Sequence, residues 1–208
     1  MASLLLAVIY VAFISLGLPD SLLGSAWPTM SQDLNVPVAW AGGISAVISM
    51  FTIVSALLSD RMTLKFGAGK VTAVSVALTA AALAGFSVTS NYWVLLAIAI
   101  PYGLGAGGVD AALNNYVAIH YESRHMSWLH CFWGVGTVVS PFIMGYALTN
   151  RTWNSGYRII GFLQLAIAIL LLLTLPVWNI NKSATETAGK SVGLVGALKI
   201  KGVPFLLL

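Results

Sequence analysis

Two acidic residues lie inside stretches that are otherwise apolar, and one of them has an amide partner at helical spacing. Asp20 follows Gly17-Leu18-Pro19, and Asp110 lies near the middle of the apolar run 92–119. Inserting an acid into a membrane span costs roughly 2.5–3.5 kcal/mol of free energy, so such an acid is expected to have a functional or structural role. Asn114 follows Asp110 by four residues, which places both side chains on one face of a helix.

No Lys or Arg lies deep enough in these stretches to pair with either acid. A carboxyl group without a basic partner in a low-dielectric medium takes up a proton readily. The two acids therefore predict proton coupling in a transport site. The alternative is a permanently protonated Asp that only hydrogen-bonds a neighbouring helix.

A second group of candidates lies on the fifth apolar stretch. His130, Trp133 and Thr137 follow the i, i+3, i+7 spacing of one helix face. A His and a Trp facing a cavity suit a polar ligand with an apolar face, such as a sugar. Trp133 also fits an interfacial anchor. Asn114, Gln164 and Asn115 complete the predicted substrate-binding set, with helix packing as the alternative for Gln164 and Asn115.

Two motifs that suggest other chemistry do not fit their context. The segment 103–108, Gly-Leu-Gly-Ala-Gly-Gly, matches the dinucleotide fingerprint, but that motif needs a preceding strand and a solvated phosphate site. His120, His125 and His130 recur every five residues, which is not the spacing of helical zinc ligands. We expect no enzyme activity, cofactor, bound metal or nucleic-acid partner. Gly103 and Gly107 instead share the spacing that lets a neighbouring helix approach closely.

The composition indicates the elements that position these residues. Of 208 residues, 59% are hydrophobic and 8% are charged, whereas soluble domains carry about 25% charged residues. The sequence predicts an all-α integral membrane protein with six spans, at about 4–27, 38–58, 71–88, 92–119, 128–148 and 158–178. Polar connections are predicted at 28–37, 59–70, 120–125 and 149–157. The first span is expected to break at Gly17–Asp20, because proline removes a helical hydrogen bond.

Basic residues concentrate on one side of the predicted membrane topology. The connections after spans two, four and six hold Arg61, Lys65, Lys70, Arg124, Lys182, Lys190, Lys199 and Lys201. The opposite side holds only Arg151 and Arg158, which predicts a cytoplasmic N-terminus. Five tryptophans near span ends are expected to act as interfacial anchors: Trp27, Trp40, Trp93, Trp153 and Trp178.

The last 30 residues are not predicted to belong to the six-helix bundle, which is assigned to residues 1–178. Residues 179–202 are polar and predict a cytoplasmic linker. Residues 203–208 are apolar but too few to span a membrane, so they predict the start of a truncated seventh helix. We therefore expect the chain to be a fragment, part of a split gene, or a half that pairs with another subunit.

This arrangement resembles the N-terminal half of the major facilitator superfamily. The segment 59–70 carries Asp60-Arg61, Gly67 and Lys70, and is similar to that family's signature loop after the second span. The resemblance implies a twelve-helix fold of which this chain supplies six helices, with a missing C-terminal half or second subunit as partner. It also implies that these four residues act in conformational gating.

Within that superfamily the chain resembles the fucose permease group of sugar–proton symporters. Gly103-Leu104-Gly105 through Asp110 and Asn114 is similar to that group's fourth helix, with Asp in place of Glu and a spacing longer by two residues. The resemblance implies that Asp20 helps to bind substrate and Asp110 carries the proton. It implies proton-coupled uptake of a sugar or similar small polar solute across the plasma membrane. A non-transporting membrane remnant or scaffold, and an exporter of another solute, are the alternatives.

Overall fold

Helices form every regular element in the part of the chain that the structure, a computed structural model, describes. That part is residues 2–178, with side chains from Leu4 onward, and the predicted linker 179–202 and seventh-helix segment 203–208 lie outside it. The elements are α1 (Ala2–Asp20), α2 (Leu22–Asp33), a 3-10 turn (Val38–Trp40), α3 (Ala41–Phe66), α4 (Ala68–Phe86), α5 (Tyr92–His120), α6 (Ser123–Asn150), α7 (Trp153–Leu173) and α8 (Leu175–Trp178).

Six helical segments are long and apolar enough to cross a membrane. They are Leu4–Asp33, Val38–Phe66, Ala68–Phe86, Tyr92–His120, Ser123–Asn150 and Trp153–Trp178. The predicted fold class, an all-α bundle of six membrane spans, is confirmed. The predicted break in the first span lies directly after Asp20, where Ser21 separates α1 from α2.

All four predicted connections are wrong in extent, because the helices continue beyond the apolar stretches. The connection predicted at 120–125 consists only of Tyr121 and Glu122. α2 extends to Asp33, α3 to Phe66, and α6 and α7 leave only Arg151 and Thr152 between them. The predicted loop 59–70 is therefore mostly helix, with Asp60 and Arg61 in α3 and Lys70 in α4. Hydropathy marks where a helix leaves the hydrocarbon, whereas backbone hydrogen bonding continues into the polar region.

Gly67 alone separates α3 from α4, and its backbone explains why the chain turns there. Its φ and ψ angles are 87° and 147°, a region that only glycine adopts without strain. The helix end is closed by the Gly67 amide, which donates to the carbonyl of Thr63 at 2.8 Å.

The expectation that five tryptophans anchor the protein in the interface is wrong for three of them. Trp27, Trp153 and Trp178 are buried, whereas Trp93 is 64% exposed. The Trp27 indole donates to the carbonyl of Val38 at 2.6 Å, and the Trp153 indole donates to Asp33 at 2.8 Å. The indole N–H of a buried tryptophan needs a hydrogen-bond acceptor, and an acceptor at the end of a packed helix can replace the water or lipid headgroup of the membrane interface.

Glycines set the close helix contacts that bring the candidate residues together. On α5, Gly103 and Gly107 lie against the backbone of α3 at Ile48 and Thr52, which confirms the predicted seam. Gly105 and Gly108 on the same helix lie against α4. Gly17 of α1 and Gly136 of α6 each pack on the backbone of the other helix. A side chain at these positions would push the helices apart.

Candidate functional site

Asp20 lies at the break between α1 and α2, on a face that is exposed in the six-helix bundle. Its carboxylate accepts a hydrogen bond of 2.9 Å from the indole nitrogen of Trp133 on α6. The glycine contact between α1 and α6 makes this possible, because Gly17 lies against the backbone of Trp133 and Thr137. The structure thus joins a predicted acid and a predicted binding residue that are 113 positions apart.

Asp110 and Asn114 form a second pair on α5. The Asn114 amide donates to the Asp110 carboxylate at 2.9 Å and to the Asp110 carbonyl at 3.0 Å. The predicted shared face is confirmed. Both bonds lie within one turn of α5. The amide therefore orients the carboxyl group without a contact from another helix.

The two acids and His130 form one electrostatic group. Asp20 and Asp110 lie close enough for their charges to interact, and so do Asp110 and His130. The His130 ring is exposed and makes an edge contact of 6.0 Å between centroids with Phe13 of α1. Within residues 2–178, Lys and Arg occur only near helix ends, at Arg61, Lys65, Lys70, Arg124, Arg151 and Arg158. The electrostatic group is therefore acidic, with one imidazole.

Two other predicted binding residues lie elsewhere. Gln164 is 2% exposed, and its amide donates to the carbonyl of Ser15, which places it in the contact between α7 and α1. Asn115 is exposed but lies about 140° around α5 from Asp110, at 3.6 residues per turn. It shares that outer stripe with Trp93 and Ala118. Neither residue joins the acidic group.

The segment assigned to gating forms a separate surface. Asp60, Arg61 and Lys70 are exposed at the junction of α3 with α4, and Gly67 forms the turn between these helices. The end of the bundle that holds this junction is opposite to the end at which Asp33 meets Trp153.

A cavity of about 270 Å³ adjoins Asp20 and was not predicted from the sequence. Its walls come from α1, α2, α3, α4, α5 and α7. Tyr102 and Tyr157 line it, yet both are more than nine-tenths buried. Tyr157 fell in a predicted connection, so no sequence pattern indicated its place. Tyr102 lies two turns before Asp110, which offers a weak signal that the polar face of α5 extends that far.

Comparisons with known proteins agree with the helical architecture. The family model of the Major Facilitator Superfamily matches residues 9–208. The chain is similar to the 4-hydroxybenzoate transporter of Pseudomonas aeruginosa, 24% identical over 77% of this chain and 37% of the relative. It is 25% identical to a multidrug efflux pump of Staphylococcus aureus, over 89% of this chain and 41% of the relative.

A third relative is the glucose/mannose transporter of Bacillus subtilis, 23% identical over 71% of this chain and 37% of the relative. The aligned part of this chain spans about two fifths of the length of each of these three relatives.

Proposed function

The chain belongs to the major facilitator superfamily, and on that premise we propose that it forms one half of a proton-coupled transporter for a sugar or similar small polar solute. It is a multi-pass membrane protein with six helical spans among the described residues. In the proposal Asp110 carries the proton, Asp20 binds the solute, and Asn114, His130 and Trp133 contribute to the same site. The resemblance to the fucose permease group supports this division of roles.

One observation carries the proposal: the carboxyl groups of Asp20 and Asp110, both within the spans, interact electrostatically, and each accepts a hydrogen bond from a neutral donor. Trp133 holds Asp20 at 2.9 Å, and Asn114 holds Asp110 at 2.9 Å. Two like charges in a low-dielectric site disfavour each other's ionised form. A proton taken up by Asp110 removes that repulsion, so that Asp20 can stay ionised and accept hydrogen bonds from solute hydroxyls.

The charges of the site favour a neutral solute. Among the described residues, the acidic group has no Lys or Arg that could bind an anionic carboxylate such as that of a benzoate. A carboxylate next to an indole ring suits a sugar, whose hydroxyls donate and whose C–H face packs on the ring. The glucose/mannose relative supports this class.

An exporter of another solute is the second candidate. The multidrug efflux relative matches a larger share of this chain than the 4-hydroxybenzoate and glucose/mannose transporters do, 89% against 77% and 71%. Acidic residues without basic partners also suit organic cations. Direction and solute class are therefore tested together.

The proposed transporter needs a second six-helix unit, and the exposed faces of this bundle support one. Of the 26 residues of α3, only Ile44 and Ser59 are buried. In the proposal this partner is a C-terminal half or a second subunit, and Asp60, Arg61, Gly67 and Lys70 guide the motion between the halves. We place the assembly in the plasma membrane with a cytoplasmic N-terminus, on the distribution of Lys and Arg.

Uptake into membrane vesicles from cells that express the protein from its own gene tests the proposal. We expect labelled monosaccharide to accumulate above the outside concentration when the outside is acidic, and a protonophore to abolish this. Vesicles from a deletion strain are the control. Equal uptake with and without the pH gradient would refute proton coupling. Accumulation of a lipophilic cation in inverted vesicles, with no monosaccharide uptake, would favour the exporter.

A further inference from the structure

The cavity beside Asp20 is partly open, lies at the break between α1 and α2, and has both apolar walls and polar groups. Its volume of about 270 Å³ is close to the lower end of the range for small-molecule pockets, roughly 300–1,000 Å³. Apolar walls come from Pro19, Leu23, Ile44 and Ile48, and an aromatic wall from Phe86. The cavity thus has the mixed character of a ligand pocket.

Two phenol groups in this cavity lack a hydrogen-bond partner. Tyr102 and Tyr157 are 5% and 3% exposed, and within the described part of the chain, 2–178, their rings pack on other aromatic rings while their hydroxyls make no hydrogen bond. Both rings are held by Phe86, with centroid distances of 6.4 Å and 5.3 Å. Because both residues line the cavity and neither hydroxyl is among the fully enclosed polar atoms, the two hydroxyls are accessible to a group that enters the cavity.

The other polar groups of the cavity complement the phenols. Asp20 contributes a carboxylate, and its charge acts on Tyr102. Ser45 and Ser49 are one helical turn apart on α3 and line the same cavity. The cavity therefore offers four hydroxyls and one carboxylate. This set can both donate to and accept from a ligand with several hydroxyls.

We propose that this cavity is the solute subsite of the transporter proposed above, and that it takes a neutral polyhydroxylated ring of monosaccharide size. The inference rests on the proposed function. In it, Asp20 and the two serines meet the ring's hydroxyls, Tyr102 and Tyr157 bond to ring or hydroxyl oxygens, and Phe86 packs on the C–H face. An anion is disfavoured by Asp20, and a hydrophobic cation leaves the hydroxyls without partners.

Binding to the protein purified from cells that express it from its own gene, and placed in lipid nanodiscs, tests the subsite without requiring transport. The probes are tritiated D-glucose, D-mannose and L-fucose, measured by equilibrium dialysis. We expect Tyr102→Phe and Tyr157→Phe each to weaken binding of the preferred sugar roughly 3- to 10-fold, because each loses one hydroxyl and keeps its ring. Tyr146→Phe is the matched control, since Tyr146 is 61% exposed on α6, and it should bind as the wild type does.

A second variant narrows the edge of the cavity without disturbing the helices. Gly24 is exposed and lines the cavity, and a Cβ there meets no atom within 4 Å, so Gly24→Leu adds an apolar side chain at the edge of the cavity without a clash. We expect it to reduce sugar binding at least 10-fold. Gly145→Leu is its control, because that glycine on α6 is equally free of neighbours and does not line the cavity.

The results separate the subsite from the transport proposal. Wild-type affinity in Tyr102→Phe, Tyr157→Phe and Gly24→Leu would overturn the subsite, while gradient-driven uptake in native vesicles would still support the proposed function. Binding of tetraphenylphosphonium that none of the sugars displaces, or no sugar binding by the folded wild-type chain, would overturn the ligand class. Loss of binding in the three variants, with both controls intact, would establish the subsite even if uptake does not depend on protons.

Discussion

The indole nitrogen of Trp133 lies 2.9 Å from a carboxylate oxygen of Asp20, so one hydrogen bond ties α6 to the break between α1 and α2. This bond occupies one oxygen of an acid that also lines the cavity. A motion that separates α1 from α6 would release the carboxylate. In the proposed transporter this bond would couple the position of α6 to the availability of the Asp20 carboxylate for a ligand.

Trp133→Phe tests that coupling. The ring is kept and the donor is lost, and a hydrogen bond to a charged group contributes about 1.5–3 kcal/mol. We expect the half-saturating solute concentration in vesicle uptake to rise about 10-fold or more. Trp128→Phe is the control, because Trp128 is 56% exposed on the same helix. An unchanged half-saturation in Trp133→Phe would show that the indole does not orient Asp20.

Gly67→Ala tests the turn between α3 and α4. With φ at 87°, an alanine is strained even though a Cβ meets no atom within 4 Å, so the expected loss comes from the backbone alone. We expect the free energy of unfolding to fall by about 1–3 kcal/mol. Thermal unfolding in detergent, followed by circular dichroism, measures this.

Gly42→Ala provides the contrast, since Gly42 lies in α3 and is equally free of neighbours. Alanine is favoured over glycine in a helix by up to about 1 kcal/mol. The two variants should therefore shift the unfolding temperature in opposite directions. A shift in the same direction would argue that the unusual backbone of Gly67 is not what sets the turn.

The sequence predicted the six spans and the partner of Asp110, because the spans follow from the length of the apolar runs and the pair follows from helical spacing. Four residues along α5 suffice to place Asn114 beside Asp110. The helix ends were mispredicted because hydropathy falls where the lipid ends, while α3 keeps its hydrogen bonds to Phe66. Gly67 marks the end of α3 better than hydropathy does, because the helix continues up to this residue and its backbone angles end the helix.

The contacts between distant segments could not be predicted from the sequence. Asp20 meets Trp133 because Gly17 and Gly136 let α1 and α6 approach, and no local pattern pairs those two glycines. Gln164 had the same polarity as the site candidates, yet packing places it against Ser15. Which polar residues face a cavity depends on the rotation of each helix in the bundle, which periodicity alone leaves open.

Gly107→Leu tests the seam between α5 and α3. A side chain at Gly107 meets the backbone of Thr52, and backbone cannot move aside as a flexible side chain can. Overpacking of this kind costs about 1–3 kcal/mol. We expect a lower unfolding temperature in detergent than for Gly145→Leu, whose side chain meets nothing within 4 Å. Equal unfolding temperatures would contradict the close approach.

Asn114→Ala separates orientation of the carboxyl group from its titration. The variant removes the two hydrogen bonds from the amide to Asp110, of which the one to the carboxyl group orients it. A neutral hydrogen bond contributes about 0.5–1.5 kcal/mol. We expect solute affinity to fall about 3- to 10-fold while accumulation still depends on the pH gradient. Vesicle uptake at several solute concentrations, with and without the gradient, measures both effects. Loss of the gradient dependence would assign Asn114 a part in proton transfer itself.

Asp110→Asn tests the proton carrier directly. An amide is neutral at every pH, so it imitates the protonated acid and cannot release a proton. Exchange of labelled for unlabelled solute needs no net proton movement, and we expect it to survive. Accumulation against a gradient should be lost. Both are measured in vesicles and normalised to the amount of protein in the membrane, so that poor insertion is not mistaken for lost coupling. Asp110→Asn vesicles that still concentrate solute under a pH gradient would exclude Asp110 as the proton carrier.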